Sequence, residues 1–247
     1  MRQVALLCMA EVDLSDLANG YEYRPLSSTA KARARDAAEH LSGLLVDVGG
    51  GTGGHADIWS GIGRFALVID PSEMMCQKAA GRGTVAVVRA VAQSMPVVTG
   101  SASLVYFHLS LHYGSFRGAI DEAARVVRSG GAIEIWTFAP EALPSSALAR
   151  WFPRIGEIDA VRFPPIEDIV EKLGLHGAET IVRREPEVVT RTASSWIAAV
   201  ENRFVSTIQF LDVDEIEAGL RQFRDAYPDP DEPYTYTIEF VRIRATM

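Results

Sequence analysis

The stretch that decides the fold is Leu44-Leu45-Val46-Asp47-Val48-Gly49-Gly50-Gly51-Thr52-Gly53, a short apolar run followed at once by a cluster of glycines. The apolar run predicts a buried strand, and the glycines predict a tight turn after it. Glycine allows bare backbone to approach a ligand, and a helix that begins there points its amide groups into the loop. The stretch therefore predicts a ligand-binding loop at the carboxyl end of a strand.

Strands alternate with helices on the carboxyl-terminal side of this loop. Apolar runs predict further strands at 65–70, 85–89, 104–108, 132–138, 179–182 and 234–244. Helical patterns fall between them, at 116–127, 166–173, about 193–204 and 213–226. This alternation predicts an α/β fold in which a seven-stranded, mostly parallel sheet is flanked by helices. Ligands of such sheets bind beyond the carboxyl ends of the strands, near the point where the strand order reverses.

The chain shows no linker that would separate a second domain, so we expect one domain over residues 1–247. Residues 1–40 are expected to form a helical lid and residues 41–139 the ligand-binding core. Residues 140–165 are rich in proline, arginine and aromatics, which predicts a small helical cap inserted over the strand ends. Residues 166–247 would supply the rest of the sheet and the substrate side.

Composition excludes several classes of protein. With 48% hydrophobic and 23% charged residues, the chain is not of the disordered class. A net charge of −8 argues against a nucleic-acid footprint over the whole surface, and two cysteines are too few for a disulfide framework. The only N-terminal apolar run, residues 4–10, is too short to span a membrane and lacks a cleavage pattern. We expect a cytoplasmic protein, a monomer or homodimer, with no membrane, nucleic-acid or metal partner.

Two acids bear on the ligand of the loop. Gly49, Gly51 and Gly54 also satisfy the dinucleotide pattern G-x-G-x-x-G, so an NAD(P)-dependent oxidoreductase has to be weighed. Asp47 places a carboxylate where the phosphates of a dinucleotide would lie, and repulsion there would cost roughly several kcal/mol. Asp70 ends the second strand, where a carboxylate can accept hydrogen bonds from both hydroxyls of a ribose. A nucleoside with an amino or cationic group fits this pair better than a dinucleotide does.

Several segments of the chain, taken together, resemble those of class I S-adenosylmethionine-dependent methyltransferases. Residues 47–53 match the family's D-x-G-x-G-x-G motif, and residues 69–74 match its second motif, Ile-Asp-Pro-Ser-Glu-Met. Residues 125–131 are similar to its "RVLRPGG" turn, and residues 93–96 to the segment before its fourth strand. The tyrosine and Arg-Pro of residues 21–25 are similar to a segment of the ubiquinone/menaquinone-biosynthesis-type, small-molecule branch.

The resemblance implies S-adenosylmethionine as cofactor, with the glycines around its methionine part, Asp47 near its ammonium group and Asp70 on its ribose. Met74 or Met75 would cover the adenine, and Ala92 and Gln93 would address the adenine edge. The cofactor-binding residues that it implies are Tyr21, Arg24, Asp47, Gly49, Gly51, Gly53, Asp70, Pro71, Met74, Met75, Ala92, Gln93 and Phe107. The chain departs from the family at Val91, Ser103 and Tyr113, which weakens the adenine contacts and not the fold.

Candidate residues for the chemistry lie near the end of the fourth strand. His108 stands where the strand end would face the methyl group, and an imidazole is a suitable acceptor for the proton of a nucleophile. His112 lies in the loop that follows and is a second candidate. Phe138, Arg150 and Trp151 are candidates for the acceptor pocket, through aromatic contact and through bidentate binding of a carboxylate.

The expected activity is transfer of a methyl group from S-adenosylmethionine to an O, N or C nucleophile of a small molecule, such as a specialised metabolite. Methyl transfer from a sulfonium is an in-line displacement, so it requires alignment, close approach and exclusion of water. Three alternatives stay open: methylation of a protein or tRNA, an NAD(P)-dependent oxidoreductase, and a non-catalytic cofactor-binding domain.

Overall fold

Seven strands form one sheet in the order β3-β2-β1-β4-β5-β7-β6. Their bounds are β1 Leu44–Val48, β2 Phe65–Asp70, β3 Ala86–Arg89, β4 Ala102–His108, β5 Val127–Thr137, β6 Glu179–Thr192 and β7 Pro233–Thr246. Strands β1 to β5 pair in parallel, and β7 runs antiparallel to β5. The order reverses between β1 and β4, so the carboxyl ends of these two strands form the expected position for a ligand.

The computed structural model describes Ala18, Gly20, Tyr23 and residues 25–247. The helices of residues 25–247 are α1 Ser28–Ala38, α2 Gly54–Gly61, α3 Glu73–Ala80, α4 Phe116–Val126, α5 Pro153–Arg162, α6 Ile166–Gly174, α7 Ala193–Glu201 and α8 Val213–Ala226. Short 3-10 turns cover Pro140–Ser145 and Ser206–Phe210. No helix in the described part of the chain is long and apolar enough to span a membrane.

Part of the prediction falls outside the described residues. Tyr21 and Arg24, both expected at the cofactor, lie outside the described residues, and so does much of the predicted lid at 1–40. Of that lid the structure shows α1, whose N-cap Ser27 accepts a hydrogen bond from the amide of Ala30. The roles of Tyr21 and Arg24 therefore stay predictions.

Local sequence explains the central elements. Strand β4 is buried from Ala102 to Phe107, as its continuous apolar run predicts for a strand covered on both faces. Helix α4 is amphipathic, and it buries Ala119, Ile120 and Ala123 at the three- and four-residue spacing of one helix face. The prediction of a seven-stranded, mostly parallel sheet flanked by helices is confirmed.

Two strands extend by five residues or more beyond their predicted bounds. Strand β5 begins at Val127 and not at residue 132, because the chain leaves α4 directly in an extended conformation. Its register against β4 then shifts around Gly130, which has a φ of 72°. Strand β6 continues to Thr192 and not to residue 182, although Arg183, Arg184 and Glu185 break the apolar pattern. It lies at the edge of the sheet, where charged residues and a proline are tolerated.

The chain divides into two compact units, which we call the sheet unit and the aromatic unit. The sheet unit comprises residues 26–137, 164–184 and 241–247. The aromatic unit comprises residues 138–163 and 185–240, together with the described residues Ala18, Gly20, Tyr23 and Pro25. The core of the sheet unit contains the largest fully buried side chains of its strands and helices, among them Trp59, Tyr106, Phe107 and Trp136. The core of the aromatic unit is formed by Trp151, Phe152, Trp196, Phe223, Tyr234 and their apolar neighbours. The single-domain organisation stays a prediction.

Candidate functional site

The glycine loop leaves the carboxyl end of β1 and enters α2. The amide of Gly49 donates a hydrogen bond of 2.7 Å to the carbonyl of Ile69 at the end of β2. Gly49 has a φ of 66°, and a Cβ there would lie 2.4 Å from the Cβ of Ser110. Gly53 is the N-cap of α2 and also has a positive φ, of 76°. These two positions require glycine because of both the backbone conformation and the close approach of neighbouring atoms.

Asp70 ties the loop to the end of β2. Its Oδ2 accepts a hydrogen bond of 3.0 Å from the amide of Gly51, and its Oδ1 accepts one of 2.9 Å from the amide of Ser72. The side chain is buried, which raises the pKa of the carboxyl group, while the two amide donors act in the opposite direction. A carboxylate can accept about four hydrogen bonds, so Asp70 retains acceptor positions for a ligand hydroxyl. Its ribose-binding role stays a prediction.

Asp47 lies beneath the same loop and is 1% exposed. Among the residues that the structure describes, none makes a hydrogen bond of good geometry with either carboxylate oxygen. Burial raises the pKa of Asp47 to about 7; the amide of Ala56 lowers it in part, and the negative charge of Asp70 raises it further. The carboxylate also fills the space beside Gly50, where a Cβ would lie 2.7 Å from Oδ2.

The residues predicted to contact the adenine differ in their exposure. Met75 is 2% exposed and belongs to the core, whereas Met74 is only partly buried and Pro71 is exposed. Ala92 and Gln93 are also partly buried. Of the two methionines, Met74 is therefore the more accessible to a ligand.

Gln93 is held at the beginning of α4. Its side-chain amide donates a hydrogen bond of 3.2 Å to the carbonyl of Ser115, the N-cap of that helix. A Cβ at Gly114 would lie 3.0 Å from this amide, and one at Gly118 would lie 3.2 Å from the Cγ of Gln93. The side chain therefore connects the segment before β4 with α4, and its contact with an adenine edge stays a prediction.

Strand β4 ends in two residues with different environments. Phe107 is fully buried in the sheet, whereas His108 is only partly buried. The next residue, Leu109, has a φ of 52°, which a residue with a Cβ adopts at a cost. Its amide donates a hydrogen bond to the carbonyl of Trp136, and Ser110 donates one of 2.6 Å from its hydroxyl to the carbonyl of Val48. These bonds fix the direction in which the chain leaves β4 after His108.

The two candidate histidines have different ring partners. The ring of His108 lies 4.5 Å from that of His55 and 6.4 Å from that of Trp136, measured between centroids. The ring of His112 packs on Tyr113 instead, with centroids 4.2 Å apart. His108 thus belongs to the cluster of rings at the end of β4.

His55 is a site residue that the sequence did not reveal. It lies in the first turn of α2, four residues before Trp59, so both side chains project from one face of the helix towards Tyr106. The signal that could have found it is this spacing directly after the glycine loop. No group of three or more His, Cys, Asp or Glu side chains that could hold a metal ion occurs in the described part of the chain.

The predicted acceptor residues lie in the aromatic unit. Phe138 contacts the rings of Phe163 and Phe240, each with a centroid distance of 5.3 Å. Trp151 is 7% exposed and donates a hydrogen bond of 2.9 Å from its indole nitrogen to the hydroxyl of Tyr234.

Arg150 is exposed, and its guanidinium lies 5.0 Å from the ring centre of Trp151. Trp151 therefore serves the core of the aromatic unit, whereas Phe138 and Arg150 are more accessible to a ligand. Acceptor binding by these three residues stays a prediction.

Comparison with known proteins agrees with the fold. Residues 46–135 match the model of a family described as a methyltransferase domain. No curated protein sequence matches the chain. A putative methyltransferase from an antibiotic biosynthesis pathway of Anabaena variabilis has a TM-score of 0.73 at 20% identity, over 89% of this chain and 97% of that chain.

Two further solved structures carry small molecules. The phosphoethanolamine N-methyltransferase 2 of Haemonchus contortus, in complex with phosphomonomethylethanolamine and S-adenosylhomocysteine, has a TM-score of 0.59 at 15% identity, over 93% of this chain and 56% of that chain. The geranyl diphosphate C-methyltransferase of Streptomyces coelicolor, with geranyl diphosphate and S-adenosyl-L-homocysteine, has a TM-score of 0.50 at 16% identity, over 87% and 78%. The expected Rossmann-like fold of class I methyltransferases is confirmed by this similarity.

Proposed function

We propose that this chain is a methyltransferase that transfers a methyl group from S-adenosylmethionine to an O, N or C nucleophile of a small molecule. The observation that carries the proposal is the glycine loop held between two acids. Asp47 lies buried beneath the loop, and Asp70 is bonded to the loop through the amide of Gly51. We place the chain in the branch of small-molecule enzymes that includes those of ubiquinone and menaquinone biosynthesis, on the sequence resemblance alone.

The residues present fit this cofactor. S-adenosylmethionine carries two cationic groups, a sulfonium and an ammonium, and it has a free ribose. Asp47 and Asp70 give the loop a negative potential when they are ionised, which favours a cation and opposes the two phosphates of a dinucleotide. The acceptor positions that remain on Asp70 suit the ribose hydroxyls.

For methyl transfer the protein has mainly to align the two reactants and to remove one proton. When bound, S-adenosylmethionine supplies an electrophilic methyl group. The nucleophile displaces the sulfur, so a bond from carbon to the nucleophile forms as the carbon–sulfur bond breaks. His108, at the carboxyl end of β4, accepts the proton of a hydroxyl nucleophile, or the proton that an ammonium group loses to become a nucleophilic amine. Leu109 and Ser110 fix the direction of this strand end through the hydrogen bonds of their amide and hydroxyl.

The choice of a small acceptor rests on two observations. The phosphoethanolamine and geranyl diphosphate enzymes bind small organic molecules, and the Anabaena protein is assigned to antibiotic biosynthesis. The chain itself has a net charge of −8, which disfavours tRNA. A specialised metabolite is the acceptor that these observations favour.

The first experiment is calorimetric titration with S-adenosylhomocysteine beside NAD and NADP. We expect binding of S-adenosylhomocysteine alone. Asp70→Asn replaces one acceptor oxygen by a donor that faces an amide, so it should weaken this binding at least about tenfold, the loss of a charge-assisted hydrogen bond. Asp57→Asn, at a partly exposed position in the first turn of α2, is the matched control and should bind as the parent does.

The second experiment tests turnover. Incubation with S-adenosylmethionine and panels of phenols, carboxylic acids and amines should give S-adenosylhomocysteine and a product heavier by one methylene group. Binding of NAD or NADP in place of S-adenosylhomocysteine would overturn the cofactor assignment. Turnover on proteins or tRNA and on no small molecule would overturn the acceptor class.

A further inference from the structure

Three arginines of β6 and β7 line one cavity at the edge of the sheet. The cavity has a volume of about 130 Å³, and its walls are Ile181 and Arg183 of β6 together with Arg242 and Arg244 of β7. The two strands are neighbours, and β6 forms the edge. A cavity of this size has room for several water molecules, and hence for a compact group such as a phosphate.

The cavity lies outside the candidate site at the end of β4. In the register of the sheet, His108 is opposite Trp136 and Trp136 is opposite Arg242, so two strand spacings separate Arg242 from His108. All four residues that line the cavity belong to the sheet unit. None of them takes part in the proposed methyl transfer, so a ligand of this cavity is independent of that activity.

The arginines carry more positive charge than their carboxylate partners neutralise. Glu134, which is fully buried, accepts a hydrogen bond of 3.0 Å from Arg242 and another from Arg244. Asp36 of α1 accepts one of 3.2 Å from Arg242. Arg183 is exposed and makes neither a hydrogen bond nor an ion pair with any residue that the structure describes. Three guanidinium groups thus share two carboxylates, and the charge of Arg183 is left over.

Arg242 also has donor capacity that the two acids do not use. One end of its guanidinium donates to both Asp36 and Glu134, whereas its buried Nε has no hydrogen-bond partner in the described part of the chain. A buried donor without a partner costs free energy, and like charges on neighbouring strands oppose one another. An anion among the three arginines would offset this repulsion.

From this surplus we propose that the cavity binds the phosphate group of a small organic molecule. A guanidinium group is planar and donates in parallel to two oxygens of one phosphate. Three such groups around one cavity supply donors for more oxygens than the two of a carboxylate, and a phosphate has the additional oxygens. Ile181, which is 59% exposed, gives the cavity an apolar wall for the organic part of the ligand.

The test is an NMR titration of the backbone amide signals of the full chain at constant ionic strength. The probes are inorganic phosphate, phenyl phosphate and benzoate. We expect saturating shifts at residues 181–183 and 242–244 with both phosphates, and tighter binding of phenyl phosphate than of inorganic phosphate. Benzoate, which carries the same ring on a carboxylate, should bind more weakly than phenyl phosphate.

Two variants show whether the surplus charge is responsible. Arg183→Gln removes the guanidinium that no acid neutralises, at an exposed position without a hydrogen bond to lose, so it should weaken phenyl phosphate binding about tenfold. Arg221→Gln makes the same change on the exposed surface of α8 and should bind phenyl phosphate as the parent does.

Each part of the proposal has a result that overturns it. Parent protein without saturating shifts at these amides, or equal affinity of the parent and Arg183→Gln, overturns the anion site. Benzoate binding as tightly as phenyl phosphate overturns the choice of a phosphate group. Inorganic phosphate binding as tightly as phenyl phosphate overturns the organic ligand and assigns the cavity to free phosphate.

Discussion

The buried carboxyl group of Asp47 should make the stability of the chain fall as the pH rises. The pKa is raised from 3.8 to about 7 because the group is buried beneath the glycine loop. The folded state then binds this proton more tightly than the unfolded state does, so stability is lost between about pH 4 and pH 7. About three pKa units at about 1.4 kcal/mol each amount to roughly 4 kcal/mol over the whole range.

Asp47→Asn removes the titrating carboxyl group and with it this contribution to the pH dependence of stability. Roughly 2.5 kcal/mol of the total falls between pH 5 and pH 8, since the unfolded group is already mostly ionised at pH 5. From pH 5 to pH 8 we therefore expect the free energy of unfolding of the variant, relative to that of the parent, to rise by about 2.5 kcal/mol. For a chain of this length the gain corresponds to a relative rise in melting temperature of about 5–10 °C.

The assay is thermal unfolding followed by circular dichroism at pH 5 and pH 8, with urea unfolding as a second measurement. Asp225→Asn makes the same change on the exposed surface of α8, and its difference from the parent should not depend on pH. A constant difference between Asp47→Asn and the parent at both pH values would refute the reasoning, because it would mean that Asp47 is ionised in the folded protein throughout.

Two further predictions concern other positions of the sheet unit. Gly49→Ala should destabilise the chain by at least about 2 kcal/mol, because it combines a positive φ with a Cβ 2.4 Å from that of Ser110. An unfolding midpoint equal to that of the parent would contradict this. Glu134 is fully buried and pairs with Arg242 and Arg244, so Glu134→Gln should cost about 3 kcal/mol in urea unfolding. A cost below about 1 kcal/mol would show that the two arginines find other partners.

Four polar side chains lie in one row of the sheet beneath the candidate site. Asp47, Tyr106, Glu134 and Arg244 occupy neighbouring positions on β1, β4, β5 and β7. Partners in register on adjacent strands project from the same face, so these four side chains form one polar row across the sheet. Burial and the charges of Glu134 and Asp47 raise the pKa of Tyr106 well above its usual value, which keeps its phenol neutral.

Much of the fold follows from local sequence. The apolar run before Gly49, the glycine loop and the strands of the parallel half are predicted within a few residues, because burial on both faces leaves a continuous apolar signal. Asp47 and Asp70 are placed at their strand ends by the same local reasoning. The extent of β6 was missed, since its pairing at the sheet edge is compatible with the charged residues at 183–185.

The sequence by itself determined the order of strands and helices, the glycine loop and the two acids beside it, because each depends on residues that are neighbours in the chain. Only the tertiary structure decided that His55 meets His108, 53 positions later, and that Trp151 belongs to a core. It also decided that Asp47 is buried deeply enough to raise its pKa to about 7. Ring contacts and desolvation depend on which distant segments pack together, and a local pattern of residues does not determine that packing.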